Sequence, residues 1–365
     1  MSELLFVTWD GGGNVPPALA IARVLQGRGH TVRFLGHESQ RAALVEAGFE
    51  VEATSRTRTF DRLGDTSPLT MLRTLGDRGA GHDLLAALAR RPADLVVVDC
   101  LTFGALDAAR ASGTPYVVLE HLHDAAYRAM LAGPLGLVVR LRRLRPSLAL
   151  SRARARIVTS LPVLDPLPSD GNFVQVGPVA SWSPRSQPVG AEEPAVLVSL
   201  STFGYPGMRE ALQRIVDATH DLGARVVVTT GPAIEPAELA APPTVDVRRF
   251  VPHAELMGSA SLFVGHGGHG SSMAALAHDL PVVLMPMDPN ADQVTVARSV
   301  QAAGAGRSVR KGASPDDLAP VLAELLADGA HRSAAAALGD AVRAMPGDVL
   351  GADAVEAALS RAPAA

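Results

Sequence analysis

A glycine-rich loop in the C-terminal half of the chain has the residue types that bind an anion. Residues 265–272 read Gly-His-Gly-Gly-His-Gly-Ser-Ser, between the apolar segment 262–264 and a predicted helix. Glycines let the backbone approach a ligand closely, and Ser271 and Ser272 offer hydroxyl groups. The free N–H groups and positive dipole end of the helix attract negative charge. The loop therefore predicts a diphosphate site that needs no metal. The alternative is a tight turn with two incidental histidines.

The cysteine, histidine and lysine positions argue against a metal centre or a bound cofactor. Cys100 is the one cysteine, so the chain forms neither a disulfide nor a cysteine-based metal site of its own. His121 and His123 follow a predicted strand, but no third ligand stands at a useful spacing. The sequence has no Asp-x-Asp motif, and Lys311, its one lysine, has no P-loop or Schiff-base context. We therefore predict no metal and no cofactor.

Short apolar strands that alternate with helices must position these loops. In the first half, strands are predicted at 4–8, 31–35, 95–98 and 116–119. The pattern restarts with strands at 196–200, 226–230, 245–250, 262–265 and 282–285. Fully apolar strands between helices indicate parallel sheets covered on both faces. Ligands bind such sheets beyond the carboxyl ends of the strands, which is where the glycine-rich loop lies.

The same pattern predicts two α/β domains, and 365 residues are enough for two cores. The predicted boundaries are an N-terminal Rossmann-like domain at 1–177, a Pro- and Ser-rich linker at 178–195, a second Rossmann-like domain at 196–350, and a C-terminal helix and tail at 351–365. The last helix is amphipathic over 352–359, and we expect it to pack back on the N-terminal domain.

Charge and hydropathy exclude several classes of protein. Lys plus Arg is 33 and Asp plus Glu is 37, so there is no electrostatic reason for a nucleic-acid partner. No apolar stretch reaches membrane-spanning length without interruption, and no basic segment precedes the N-terminal apolar run. We therefore expect a cytoplasmic protein without a membrane span. Arginine almost replaces lysine, which indicates a GC-rich coding sequence, as in actinobacteria.

Several segments together resemble the family 1 glycosyltransferases. In the C-terminal half these are Arg249–His253, His266–Ser271, Leu280–Val283, Asp292-Gln293 and Gly304–Gly306. In the N-terminal half they are Gly13–Pro17 and Arg28–Val32, and residues 198–202 resemble the family's first C-lobe strand and donor loop. The sequence is most similar to the bacterial branch that modifies macrolides and other antibiotics. The resemblance implies the GT-B fold, in which two doubly wound Rossmann-like domains face a central cleft.

The resemblance implies roles in binding the nucleotide. Phe250 would stack on the nucleobase, the Val251 main chain would pair with its edge, and His253 lies beside them. The alternatives are core packing for Phe250 and helix capping for His253. The groups expected to hold or face the diphosphate are Thr202, His266, Gly268, His269, Gly270 and Ser271.

The sugar is assigned to Asp292 and Gln293 by the same resemblance. A carboxylate and an amide offer the mixture of acceptors and donors that sugar hydroxyls require. The alternative for this pair is a solvated helix N-terminus capped by Asn290.

The N-terminal lobe departs from the family at the general base. The family has a histidine where this chain has Asn14, and an asparagine cannot accept a proton at useful pH. Asp99 matches the carboxylate that normally orients that histidine. We predict Asp10 as the base, with Asn14 orienting the acceptor and Asp99 supporting the loop; a turn-forming role for Asp10 is the alternative. His121 and His123 are rival bases, in a loop predicted to line the acceptor cleft.

The sequence thus predicts inverting transfer of a sugar from a UDP- or dTDP-sugar to a hydroxyl of a hydrophobic small molecule, such as a natural product. One alternative is a sugar-nucleotide epimerase of the same fold, which would act on the donor without an acceptor. Another is a non-catalytic auxiliary homologue, because Asn14 removes the usual base. The expected partners are the donor and a small-molecule acceptor. The sugar, the acceptor and the oligomeric state, a homodimer included, stay open.

Overall fold

A computed structural model describes residues 1–64, 66–179, 194–327 and 329–360. The chain divides into two compact units, residues 1–179 with 346–365 and residues 180–345. Most of the predicted linker at 178–195 lies outside the described residues. In the part that the structure describes, no helix is both long and apolar enough to cross a membrane.

The N-terminal unit is built on a seven-stranded parallel sheet with the order β3-β2-β1-β4-β5-β6-β7. Its strands are β1 (Glu3–Val7), β2 (Thr31–Gly36), β3 (Glu50–Ala53), β4 (Leu95–Asp99), β5 (Tyr116–Glu120), β6 (Arg156–Val158) and β7 (Phe173–Gln175). Its helices are α1 (Val15–Gly27), α2 (Glu38–Glu46), α3 (Pro68–Leu75), α4 (Gly79–Arg90), α5 (Phe103–Ser112), α6 (Asp124–Ala132), α7 (Pro134–Leu141) and α8 (Pro146–Arg152). The four predicted strands are confirmed.

Three strands of this sheet were not predicted, for a common reason. β3 alternates two glutamates with small apolar residues, and β6 and β7 have three residues each. Segments this short or this charged give no apolar run that stands out from a loop. By contrast, β4 and β5 are buried at every position, and the sequence shows both as uninterrupted apolar runs.

The C-terminal unit is built on a six-stranded parallel sheet with the order β10-β9-β8-β11-β12-β13. Its strands are β8 (Ala195–Ser199), β9 (Arg225–Thr229), β10 (Val245–Arg248), β11 (Leu262–Gly265), β12 (Val282–Leu284) and β13 (Gly306–Ser308). Its helices are α9 (Met208–Ala218), α10 (His253–Met257), α11 (His269–Ala277), α12 (Gln293–Ala302), α13 (Pro315–Leu326) and α14 (Ala330–Ala344). The five predicted strands are confirmed, and β13 was missed.

The last helix belongs to the N-terminal unit. It is α15 (Gly347–Ser360), and it begins before the predicted boundary at residue 351. α15 packs on α1 so closely that a Cβ on Gly351 would lie 2.6 Å from Ile21. Arg28 at the end of α1 pairs with Asp353 at 2.8 Å and Glu356 at 2.6 Å. The expectation that this helix packs back on the N-terminal domain is confirmed.

Candidate functional site

The N-terminal sheet brings Asn14, Asp99 and His121 together at one edge. Asn14 lies in the loop after β1, Asp99 ends β4, and His121 directly follows β5. Because β4 lies between β1 and β5 and all three are parallel, their carboxyl ends are neighbours. The strand order also reverses between β1 and β4, which is where doubly wound sheets bind ligands.

Asn14 is a buried donor that holds Asp99. Its Nδ2 donates to Asp99 Oδ2 at 2.8 Å, to Trp9 O at 3.0 Å and to Thr8 Oγ1 at 3.1 Å. Trp9 O and the Asp99 carboxylate only accept hydrogen bonds, so the amide nitrogen must face them. Asn14 is 1% exposed, which leaves it no surface for an acceptor molecule. The predicted role of orienting the acceptor is therefore replaced by a role in positioning Asp99.

Asp99 is shared between a backbone amide, Asn14 and a histidine. Its Oδ1 accepts from the Leu101 N–H at 2.9 Å, and its Oδ2 lies 3.4 Å from His121 Nε2. Asp99 is 4% exposed, whereas the His121 side chain keeps 11% of its surface. The predicted supporting role of Asp99 fits these contacts, and the histidine beside it comes from β5 instead of β1.

Asp10 does not join this group. It lies in the β1 loop but pairs with Arg62, whose Nη1 is 3.2 Å from Asp10 Oδ1. Arg62 was not singled out in the sequence because it is distant along the chain, in a segment without periodicity. Asp10 is largely buried and one of its carboxylate oxygens already accepts a hydrogen bond from a guanidinium, which argues against its predicted role as general base.

His123 is completely buried, unlike His121. It precedes α6, and burial lowers its pKa, although nearby Asp165 acts in the opposite direction. A side chain without exposed surface is poorly placed to touch an acceptor or take its proton. The structure therefore argues against the predicted role of His123 and leaves His121 as the histidine of this loop that a substrate can reach.

One cluster among the described residues has the spacing of a metal site. Ligand atoms of Asp99, Cys100 and His121 lie within 4.8 Å of one another. Burial raises the pKa of the Cys100 thiol well above its usual range, with Asp99 and Glu120 contributing. A protonated, fully buried thiol is a poor ligand. The prediction that the protein uses no metal stays a prediction.

In the C-terminal unit, the glycine-rich loop joins β11 to α11 in a close-packed turn. Gly267 has φ +84°, and a Cβ there would lie 2.9 Å from the Gln293 carbonyl oxygen. A Cβ on Gly268 would lie 2.5 Å from His266 Nε2, so the imidazole covers this glycine. Any side chain at these two positions would displace its neighbours, and the glycines are therefore needed for the geometry of the loop.

Polar atoms around the first turn of α11 lack protein partners. Among the described residues, no group hydrogen-bonds to His266 Nδ1 or to the buried Ser272 Oγ. Ser271 Oγ donates to Gly268 O at 3.3 Å, and Gly270 has open space where a Cβ would stand. Burial, with a smaller contribution from His253, lowers the pKa of His266 to about 4, so this imidazole is neutral at pH 7. The start of the helix thus offers backbone N–H groups to an anion, beside a neutral imidazole.

The residues assigned to the nucleobase lie on the surface after β10. Phe250 is 68% exposed, which excludes core packing as its role. Val251 is partly exposed beside it. His253 begins α10, and its Nε2 is 2.9 Å from Ser199 Oγ at the end of β8. An exposed aromatic next to an accessible main chain has the form of a stacking platform.

Gln293 has a different role from the one predicted. It is 2% exposed, and its Oε1 accepts from the N–H groups of Met287 at 2.7 Å and Asp288 at 3.1 Å. Its Nε2 donates to the Tyr205 hydroxyl at 2.9 Å. Because its amide already ties the loop after β12 together, Gln293 is a structural residue. Asp292, which is partly exposed, remains the candidate for the sugar.

Tyr205 is a site residue that the sequence analysis missed. Its ring lies 6.2 Å from the His266 ring and 5.5 Å from that of Phe203. Together with its bond to Gln293, this links the loops after β8, β11 and β12. The aromatic pair at 203 and 205, just after the exposed Thr202, was the available signal.

Two family models match most of the chain between them. A Glycosyl transferase 4-like domain matches residues 12–173, and the model described as Erythromycin biosynthesis protein CIII-like, C-terminal domain, matches residues 213–355. The L-demethylnoviosyl transferase of Streptomyces niveus is 28% identical over 93% of this chain and 93% of that protein.

Solved structures share the fold over nearly the full length. The glycotransferase of kitacinnamycin has a TM-score of 0.81 at 23% identity, covering 98% of this chain and 99% of the other. The glycosyltransferase VinC, solved in complex with dTDP, has a TM-score of 0.73 at 22% identity, covering 97% and 99%. This similarity confirms the predicted GT-B fold with its two parallel-sheet α/β domains.

Proposed function

We propose that this chain, which belongs to the antibiotic-type glycosyltransferases of family 1, transfers a sugar from a UDP- or dTDP-sugar to a hydroxyl of a hydrophobic small molecule. The reaction proceeds with inversion at the anomeric carbon and needs no metal. Two named proteins support the choice of substrates: the relative from Streptomyces niveus is an L-demethylnoviosyl transferase, and VinC was solved in complex with dTDP.

The observation that carries the proposal is the first turn of α11. The N-terminus of α11, the neutral His266 and the partly exposed Ser271 follow directly on β11. Hydrogen-bond donors already in place stabilise charge as it develops, and they do so without rearranging. A leaving nucleoside diphosphate gains negative charge as its bond to the sugar breaks. The turn therefore stabilises the leaving group more strongly in the transition state than in the donor, which accelerates transfer.

We assign the remaining contacts to the sugar-nucleotide donor to residues whose side chains or main chain are exposed. Phe250 stacks on the base, and the Val251 main chain selects its edge. Thr202 is exposed in the loop after β8, next to β11 in the sheet, and completes the phosphate contacts. Asp292 accepts hydrogen bonds from the sugar hydroxyls, whereas Gln293 keeps the loop after β12 in place.

A screen of donors against acceptors, read by mass spectrometry, tests the proposal. UDP-glucose, dTDP-glucose and dTDP-rhamnose are incubated with hydrophobic polyketide, phenolic and terpenoid alcohols in EDTA. Products heavier by one sugar are expected, and NMR of the purified glycoside should show inverted anomeric configuration. An epimerised donor without any glycoside, or nucleotide binding without turnover on the whole panel, would contradict the proposal. Activity that EDTA abolishes would contradict its metal-free form.

A further inference from the structure

We infer that the exposed face of α7 and α8 docks on an anionic lipid bilayer. This face combines arginines that have no carboxylate partner with exposed leucines, and we call it the basic face. Its exposed side chains are Leu137, Arg140, Leu141, Arg143, Arg145, Leu148 and Arg152. None of them belongs to the loops assigned to the sugar-nucleotide donor. The inference therefore goes beyond the proposed function and is tested independently of it.

The chain concentrates positive charge in the segment that contains these two helices. Between Asp124 and Asp165 there are eight arginines and no acidic residue, although the chain as a whole has a net charge of −4. A helical face that serves only solubility commonly mixes both signs, because ion pairs along the helix stabilise it. A surface with one sign of charge instead attracts partners of the opposite sign. The segment therefore favours an anionic partner.

The arginines of this segment fall into two groups. Carboxylates or main-chain carbonyls of the N-terminal unit bind Arg128, Arg142, Arg154 and Arg156. The exposed arginines that have no carboxylate partner among the described residues are Arg140, Arg143, Arg145 and Arg152. A guanidinium that is not paired within the protein is free to bind a phosphate group, often through two hydrogen bonds. The second group thus supplies the charge of the basic face.

Exposed leucines stand beside these arginines at helical spacing. On α7, Leu137 is 54% exposed and Leu141 is 74% exposed, and Arg140 shares their face because residues three and four apart are neighbours on a helix. The opposite face of α7 is packed against the protein through Leu135 and Val139, which are buried. The helix therefore has apolar side chains on both faces, and those of the exposed face are covered only if a partner binds there.

The helix α8 repeats this arrangement. Arg145 directly precedes the helix, Leu148 is 36% exposed in its first turn, and Arg152 is its last residue. Spacings of three and four residues place these side chains along one face. On a membrane surface, leucines enter the boundary between headgroups and acyl chains, while arginines extend toward the phosphates. Both helices offer these two kinds of contact.

The turn between the helices has an arginine where a glycine would fit with less strain. Arg143 has φ +61°, and its N–H donates to the Arg140 carbonyl oxygen at 2.8 Å. Helices commonly end on a residue in this left-handed conformation, usually a glycine, because a Cβ is disfavoured there. The Arg143 side chain makes no hydrogen bond or ion pair with the described residues. A strained, exposed side chain without a contact inside the protein is consistent with a contact outside it.

A bilayer accounts for the leucines better than other anionic partners do. Nucleic acids bind through phosphate contacts and through bases stacked on aromatic rings, and the basic face contains no aromatic residue. An acidic amphipathic helix of another protein needs an apolar groove, whereas Leu137 and Leu141 project from a helix. A bilayer accepts a projecting apolar surface, and its anionic headgroups lie where the neighbouring arginines reach.

Vesicle binding tests the inference with the whole protein. Liposomes of phosphatidylcholine with about one third phosphatidylglycerol, and liposomes of phosphatidylcholine alone, are pelleted with the protein at low and high salt. The protein should pellet with the anionic vesicles only, and about 0.5 M salt should release most of it. Arg140→Glu with Arg145→Glu should lower the partition coefficient at least about 25-fold, because each cation near the surface contributes about fivefold.

Arg23→Glu with Arg298→Glu is the matched control. These arginines are exposed on α1 and α12, and the double substitution changes the net charge by the same amount. The control should bind anionic vesicles as the wild type does. An equal loss in both double variants would show that binding depends on total charge alone and would overturn the inference. Wild-type protein that does not bind anionic vesicles, or that binds neutral vesicles equally well, would also overturn it.

The leucines distinguish a bilayer from other polyanions. Leu137→Ser with Leu141→Ser should lower the partition coefficient about tenfold or more, because both side chains leave water when the face docks. If this variant binds vesicles as the wild type does and single-stranded RNA displaces the wild type from them, the face binds polyanions in general and the inference is wrong.

Arg143→Gly separates the surface from the fold. Glycine relieves the left-handed strain, so the melting temperature should stay the same or rise, whereas vesicle binding should fall about fivefold. A lower melting temperature with unchanged vesicle binding would show that Arg143 serves the fold, which contradicts the inference. All variants should bind dTDP as the wild type does. Wild-type protein that binds anionic vesicles but forms no glycoside in the screen would contradict only the proposed function.

Discussion

The two sheet edges differ in the groups that they present. At the N-terminal edge two carboxylates lie against protein partners: Asp10 pairs with Arg62, and Asp99 is held by Asn14 and faces His121. At the C-terminal edge, His266 Nδ1 and Ser272 Oγ have no partner among the described residues, and Phe250 is exposed. The C-terminal edge thus presents an exposed aromatic ring and a helix N-terminus, whereas the N-terminal edge holds its two carboxylates against protein partners.

Gly268→Val is expected to have the largest effect, a loss of nucleotide binding at the C-terminal edge. A side chain at this position meets the His266 ring at 2.5 Å and blocks the approach to the N-terminus of α11. Affinity for dTDP or UDP should fall by about 100-fold in calorimetry, close to 3 kcal/mol. Gly312→Ala in the same unit is the control, because a Cβ there meets nothing within 4 Å, and its affinity should not change. Equal affinities in both variants would show that this loop is not part of the nucleotide site.

Phe250→Ala should have the next largest effect. Stacking of a base on an aromatic ring contributes roughly 1–3 kcal/mol, so nucleotide affinity should fall about tenfold. The melting temperature should not change, since Phe250 is 68% exposed. Leu141→Ala, which removes another exposed apolar side chain in the N-terminal unit, should leave affinity unaltered. If the melting temperature falls and the affinity does not, Phe250 stabilises the fold and does not stack on the base.

Substitutions of Asp292 and Gln293 should affect different properties, the rate of sugar transfer in the first case and the stability of the fold in the second. Asp292→Ala should slow sugar transfer by one to two decades, from the roughly 1.5–3 kcal/mol of a charge-assisted hydrogen bond, and leave dTDP affinity nearly unchanged. Gln293→Ala should instead lower the free energy of unfolding by about 1–3 kcal/mol, because it leaves two backbone N–H groups unpaired. Denaturant unfolding and transfer rates on both variants check this. Identical behaviour would show that the pair acts as a unit.

The smallest expected effect is in the pH dependence of donor binding. Burial lowers the pKa of His266 to about 4, and a bound diphosphate should raise that pKa again through its negative charge. Binding then takes up protons, so affinity for dTDP-glucose should rise about two- to fivefold as the pH falls from about 7.5 to 5.5. His266→Asn should bind with a flat profile. An affinity that falls with falling pH in the wild type would contradict this prediction.

The stability of the free protein should change in the opposite direction. At pH 7 His266 is neutral in the folded protein and mostly neutral in the unfolded chain. Below about pH 6.5 the unfolded chain takes up a proton that the folded chain refuses until about pH 4. The free energy of unfolding therefore decreases as the pH is lowered from about 6.5 to about 4, and it decreases less in His266→Asn.

The same contrast explains what the sequence could predict. The donor loop was predicted because its parts are contiguous: an apolar strand, glycines and a helix start, all within residues 262–276. The pairing of Asn14, Asp99 and His121 was not, because three separated segments meet only through the order of β1, β4 and β5. Gln293 was predicted to bind the sugar because it stands next to Asp292 in the sequence. Its burial under the loop after β12 depends on tertiary packing, which the sequence does not show.

The most direct test of the account is amide hydrogen exchange with and without dTDP, in EDTA. Protection is expected in peptides that cover 265–272 and 249–253, which contain the proposed contacts to the diphosphate and the base. The loop at 10–14 and the strand end at 99 should exchange as in the free protein. Protection confined to the N-terminal unit, or protection that appears only after a divalent metal is added, would contradict a metal-free nucleotide site at the C-terminal edge.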